Sequence, residues 1–134
     1  MPALSDYRIT IAVMALAGLL LVLQLIVADL TAIRHRHKAG YPIPADSSQF
    51  LFRSARAHAN TNESIGAFTL LALAALLVSA SPAWTNALSA LWLASRLLHM
   101  SFYYANRKPL RSMAFALSLV ALLGLFVTVA RRWI

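Results

Sequence analysis

Four long apolar stretches constrain this chain more than any other feature: Ile9 to Ile33, about Ser64 to Ser81, about Trp84 to Tyr104, and Leu110 to Ala130. Each approaches the roughly 20 residues needed to cross a hydrocarbon core about 30 Å thick. With 60% hydrophobic residues and a mean hydropathy of +0.70, the chain is too apolar for a soluble domain of 134 residues. The expectation is an all-α integral membrane protein, a single four-transmembrane-helix bundle with helices near 6–36, 47–80, 84–106 and 109–132. Little chain is left outside the helices, so any site must be built from helix ends and short connections.

The first stretch is longer than the apolar core of a signal peptide. It runs into "ADLTAIRHRHK" instead of a small-residue cleavage site, so it reads as a retained helix. Cysteine is absent, which leaves any sulfur chemistry to a ligand. The net charge of +8 does not point to nucleic acid, because the cations sort by connection. Arg34, Arg36, Lys38, Arg53 and Arg56 lie between helices 1 and 2, and Arg107, Lys108 and Arg111 between helices 3 and 4. The connection "SASPAWTNA" has no charge. The positive-inside rule then expects the first and third connections on the cytoplasmic face, of the inner membrane in a bacterium, and both termini on the far side. Arg131 and Arg132 run against that pattern.

Gly40, Pro42 and Pro44 mark a loop, and Asp46 and Ser47 offer N-caps for a helix beginning near Ser48. No Gly or Pro follows until Gly66, so helix 2 is expected to contain the polar stretch "RSARAHANTNESIGAF". Pro82 is expected to end it, with Thr85 or Asn86 helping to cap helix 3 and Pro109 in the first turn of helix 4.

On a helix, Arg53, Arg56, Asn60 and Glu63 fall within a sector of roughly 80°. Arg96, His99, Tyr103 and Asn106 repeat the spacing on helix 3. Charges at membrane depth cost about 2.5 to 3.5 kcal/mol each on insertion scales, so they pair, face the interior or line a wet cavity. Arg56 or Arg96 with Glu63 could be no more than a structural ion pair. Two matched stripes beside the Arg107 to Arg111 cluster favour a cleft instead, with an excess of cations over Glu63, Asp29 and Asp46 that suits an anion. Arginines would take carboxylates, Glu63 an ammonium and Asn60 an amide, a set that fits a small acidic peptide.

The pattern R-x-x-R-A-H-x-N-x-x-E, followed by "RLLHMSFYY" and "KPLRS", resembles the membrane-associated proteins in eicosanoid and glutathione metabolism (MAPEG) across the whole chain. In motif it is most similar to the branch of microsomal prostaglandin E synthase and microsomal glutathione transferase. The resemblance implies a homotrimer with glutathione held between subunits near the cytoplasmic side and a hydrophobic small-molecule substrate arriving from the bilayer. It assigns Arg56, Asn60 and Glu63, with Arg53 on the same stripe, to the glutathione cleft, with His58 nearby or reaching across the interface. Arg34 comes from the neighbouring subunit, and Arg96, His99 and Tyr103 are ligand contacts. Arg111 is implied as the thiol-activating residue and Ser112 as its catalytic neighbour. A free thiol has a pKa of about 8.5, and an adjacent guanidinium, a permanent cation, favours the reactive thiolate. Two features depart from the family pattern: Ser64 stands where the leukotriene synthase branch has tyrosine, and the connection from Tyr103 to Arg111 is about one residue shorter than in the prostaglandin synthase.

His35 and His37 lack carboxylate or thiolate companions and read as loop residues, so no metal site is expected. Trp84, Trp92 and Trp133 read as anchors and packing residues, and Ala15, Gly18, Ala121 and Gly124 as helix-packing surface. The favoured reading is a glutathione-dependent transferase or peroxidase. Alternatives are a small four-helix transporter, whose carboxylate should lie mid-helix, and a family member that binds ligand without catalysis.

Overall fold

A computed structural model describes residues 2–133. A short 3-10 turn, Leu4–Tyr7, leads into α1, Arg8–Arg34; then come α2, Phe50–Leu77, α3, Pro82–Tyr104, and α4, Lys108–Ala130. Short turns make α2, α3 and α4 successive antiparallel neighbours, and α1 packs on α2 and α3. One end of the bundle holds the long α1–α2 loop and the α3–α4 turn. The other gathers the Leu4–Tyr7 turn, the α2–α3 turn and the C-terminus of α4.

The four helices divide the labour. α1, taken with its 3-10 lead-in, and α4 are long and apolar enough to cross a membrane unaided. α2 and α3 have comparable length but are diluted by polar residues, many of which they turn inward, including Ser54, Thr61, Thr85, Ser89, Ser95, Arg96 and His99. Leu16, Leu19, Leu23, Val120, Leu123 and Phe126 stay exposed on α1 and α4, as a lipid-facing surface requires. Because lipid is as apolar as leucine, close packing and interhelical hydrogen bonds must hold the bundle. Its centre is Phe68 stacked on Trp92, with ring centroids 4.1 Å apart and planes within 4°, surrounded by Val13, Ala17, Leu20, Ala72, Ala121 and Leu125. Gly124 brings α4 close to α3, since a Cβ there would stand 2.8 Å from Leu88 Cδ2. Ala15 and Gly18, by contrast, look out of the subunit, with open space around Gly18.

Several local expectations are corrected. Pro82 opens α3 as its first residue, and α2 ends earlier, where Ser79 adopts φ +52°. Three helices stop in the same way. Arg36, Ser79 and Asn106 are left-handed, and the next residue's N–H reaches back five positions: His37 to Ala32, Ala80 to Ala75, and Arg107 to Phe102. This is the Schellman motif, here without glycine, so the usual sequence signal for it is missing. Asn106 therefore caps α3 instead of continuing its polar stripe. A left-handed residue with a Cβ costs about 1–2 kcal/mol, partly offset in glycine by its unfolded-state entropy. Ser79→Gly is accordingly expected to raise stability by about 0.5–1 kcal/mol in thermal unfolding, and Asn106→Gly by less, because asparagine tolerates this conformation.

α2 begins at Phe50 with Gln49 as N-cap, and Asp46 does not cap it. Asp46 Oδ1 accepts from the Ser48 hydroxyl at 2.7 Å and the Ser48 amide at 2.9 Å, forming a turn just ahead of the helix; these bonds hold its carboxyl below the usual range. Nor is Asn86 a cap for α3. Its Oδ1 accepts from Thr10 N at 3.0 Å and Thr10 Oγ1 at 2.8 Å, while its Nδ2 donates to Asp6 O at 2.7 Å. Tyr7 donates its hydroxyl to Ala80 O nearby.

Candidate active site

Arg96, on the inward face of α3, is fully buried although it carries a guanidinium. Its Nη2 donates to Asn60 Oδ1 of α2 at 2.5 Å, the closest of its contacts. Longer, weaker contacts of 3.4 Å reach Thr61 Oγ1, His99 Nδ1 and, through Nη1, Ser118 Oγ of α4. Arg96 thus ties three helices together by neutral acceptors, and its nearest partner is Asn60, not Glu63. Because an arginine only donates, His99 Nδ1 must be the accepting nitrogen, which places the ring proton on Nε2.

One turn further along α3, His99 packs edge-on against Tyr103, with centroids 5.2 Å apart. Over the Tyr103 ring lies the Arg111 guanidinium, 4.4 Å from its centroid, reaching back from the first turn of α4. This cation–π contact holds the guanidinium against the ring. Arg111 Nη1 is shielded from solvent and has no hydrogen-bond partner within the subunit. Asn60, His99, Tyr103, Arg111, Ser112 and Phe115 line an open cavity of about 170 Å³. Ser112 is exposed at its edge and turns its hydroxyl back to Lys108 O at 3.3 Å.

The two polar stripes do not face each other inside the subunit. α2 is seated by Leu51, Ser54, Ala57, Thr61, Phe68, Ala72 and Ala75, all buried, and this face is centred roughly 150° from Glu63 around the helix. Only Asn60, at the edge of the stripe, meets α3. Arg56 and Glu63 are exposed on the subunit surface, as is Arg34 at the end of α1. Arg53 is committed locally: Nη1 donates to Ser47 O at 2.9 Å and Ser48 O at 2.6 Å, and the guanidinium lies over Phe50. His58 lies on the opposite flank of α2, lining a separate cavity with Asp29, His37 and Tyr41. The structure therefore gathers Asn60, Arg96, His99, Tyr103, Arg111 and Ser112 into one site and leaves Arg34, Arg53, Arg56, His58 and Glu63 outside it.

Three contributors escaped the sequence reading. Thr61 and Ser118 serve Arg96, and Phe115 lines the cavity beside His99. A serine isolated in the apolar run of α4, seven positions after Arg111, was the available signal for Ser118.

The fold and the site together define a four-helix membrane protein with a cavity at one end that is lined by Arg111 and backed by a buried arginine. A family model, the MAPEG family, matches residues 9–131, and the chain belongs to that family of glutathione-related membrane enzymes. A search of curated proteins finds no match.

Proposed function

We propose that the protein is a glutathione-dependent transferase or peroxidase acting on lipophilic electrophiles or hydroperoxides, with Arg111 as the group that holds the thiolate. The observation that carries this reading is the orphaned Nη1 of Arg111. A shielded, charged donor without an acceptor costs about 1–3 kcal/mol or more, a penalty removed by an anion bound against it. Glutathione supplies, when bound, the nucleophilic sulfur that a chain without cysteine lacks.

The residues divide their roles by position. Tyr103 orients the Arg111 guanidinium, Arg96 fixes Asn60 and His99, and the Nε2 proton of His99 provides a second donor beside Arg111. Ser112 lies at the rim, next to Arg111 and open to an incoming substrate. The cavity of about 170 Å³ is smaller than the roughly 300–1,000 Å³ of small-molecule sites, so one subunit accommodates only part of the tripeptide. The exposed Arg56 and Glu63 extend the site along α2, as they would if a neighbouring copy, contributing its Arg34, covered them. Charged groups at membrane depth are not left facing lipid, which supports the homotrimer the family pattern implies. The cation-rich end would face the cytoplasm. The motif likeness favours the branch of the prostaglandin synthase and the microsomal transferase.

Calorimetric titration of glutathione into the detergent-purified protein is expected to give saturable binding. Absence of binding at millimolar glutathione would sink the proposal, and binding without any conjugation or peroxide reduction would leave a ligand-binding protein.

A further inference from the structure

The opposite end of the bundle holds a second cavity, of about 370 Å³, lined by Arg131, Arg132, Thr128, Ser79, Ser81 and Trp84 among others. Arg132 Nε donates to Val78 O at 3.3 Å, which lays this side chain across the end of α2. Ser81 is the N-cap of α3, yet its hydroxyl makes no capping bond, and the first turn of the 23-residue α3 begins with Pro82 in the cavity wall. Two guanidiniums, the hydroxyl-bearing side chains of Ser79 and Ser81 and the positive end of a helix dipole thus line one space.

The charge around it is one-sided. Among the described residues at this end, Arg8, Arg131 and Arg132 stand against Asp6 alone. Asp6 lines the adjoining cavity with Arg8 and not this one, and its Oδ2 already accepts from Ala3 N at 2.8 Å. Trp84 is 60% exposed and Trp133 70% exposed, the placement of indoles at a membrane–water interface. The space therefore opens at headgroup depth.

We propose that this cavity binds a phosphate group, either the headgroup phosphate of an anionic phospholipid or a free phosphate anion. The fork of a guanidinium matches phosphate oxygens in pairs, and the hydroxyls of Ser79 and Ser81 are suited to the remaining oxygens, while that of Thr128 is turned back to Gly124 O at 2.8 Å. A bound anion also accounts for Arg131 and Arg132 at an end where the positive-inside pattern calls for few cations. The site is distinct from the Arg111 cavity and does not depend on the chemistry proposed there.

Native mass spectrometry of the detergent-purified protein, with short-chain phosphatidylglycerol, phosphatidylcholine or inorganic phosphate added, tests the assignment. Phosphatidylglycerol is expected to be retained over phosphatidylcholine, and its affinity to fall roughly thirtyfold in R131Q/R132Q, at the usual contribution of each basic residue to anionic lipid binding. Lys38→Gln, at the other end, should leave it unchanged. R131K/R132K keeps the charge and loses the fork, so it should fall between; it also serves if the glutamine variant does not melt cooperatively by circular dichroism. Displacement of the lipid by millimolar inorganic phosphate identifies a free anion as the occupant, and retention identifies the headgroup. Equal binding by wild type and both double variants, or no binding of lipid or phosphate by wild type, overturns the proposal.

Discussion

Replacing Arg111 by alanine is expected to lower kcat/KM for glutathione-dependent turnover by about 100- to 1,000-fold, the loss typical when one preorganised charge-stabilising donor is removed. The fall should be largest near neutral pH. With the guanidinium gone, the bound thiol reverts toward its free pKa of about 8.5, so activity should recover as pH rises through that value. Arg111→Lys keeps the charge but not the guanidinium, whose carbon lies 4.4 Å from the Tyr103 ring centroid, and should fall between the two. Ser112→Ala should cost far less, because its hydroxyl is turned back to Lys108 O. Thiolate absorbance of the bound ligand, recorded against pH for the three variants and wild type, is the direct check. An unshifted titration in Arg111→Ala, with kcat/KM close to wild type, would reduce Arg111 to a packing partner of Tyr103.

The second large effect concerns stability, and its size depends on which partner is removed. Asn60→Ala deprives a fully buried guanidinium of its shortest acceptor, leaving only contacts of 3.4 Å, and is expected to cost about 1–3 kcal/mol even without ligand. Arg96→Met removes the charge itself and should stay within about 1 kcal/mol of wild type, because an apolar side chain of similar volume often replaces a buried ion without loss. Thr61 and Ser118 keep their backbone acceptors, Ala57 O and Phe115 O, when Arg96 is gone. In the Arg96→Met background Asn60→Ala should become nearly neutral, a coupling of about 1–3 kcal/mol in thermal unfolding. Additive effects would mean that Asn60 and Arg96 act separately. Arg96→Met is nevertheless expected to weaken glutathione binding, since it frees Asn60 and His99 from their positions.

Much of the helical plan was legible because hydropathy and length report directly on membrane spanning. The ends were less so. Arg36, Ser79 and Asn106 terminate their helices through a backbone conformation that their side chains do not advertise, and Asn86 finds its partners across some 76 to 80 positions of sequence. In the site, the helical spacing of Arg96, His99 and Tyr103 places them together, since all three share α3. The α2 stripe was periodic too, but periodicity gives the width of a face and not its direction. That direction was set by Ala57, Thr61, Phe68 and Ala72, whose packing turns Arg56 and Glu63 outward. The same limit applied to the small residues: Ala121 and Gly124 meet a neighbouring helix, whereas Gly18 meets none within the subunit.

The link between Asn86 and the start of α1 bears on how the chain is made. Its partners, Asp6 and Thr10, leave the ribosome early with Tyr7, whereas Asn86 and Ala80, which hold Asp6, Thr10 and Tyr7, are synthesised only after α2 is complete. α1 can therefore pack against α2 first, supported by its own apolar surface, while its N-terminal end gains these bonds only when the beginning of α3 arrives. The α2–α3 turn and the start of α3 are thus the latch that fastens the N-terminal end of α1, and they are available only late in synthesis.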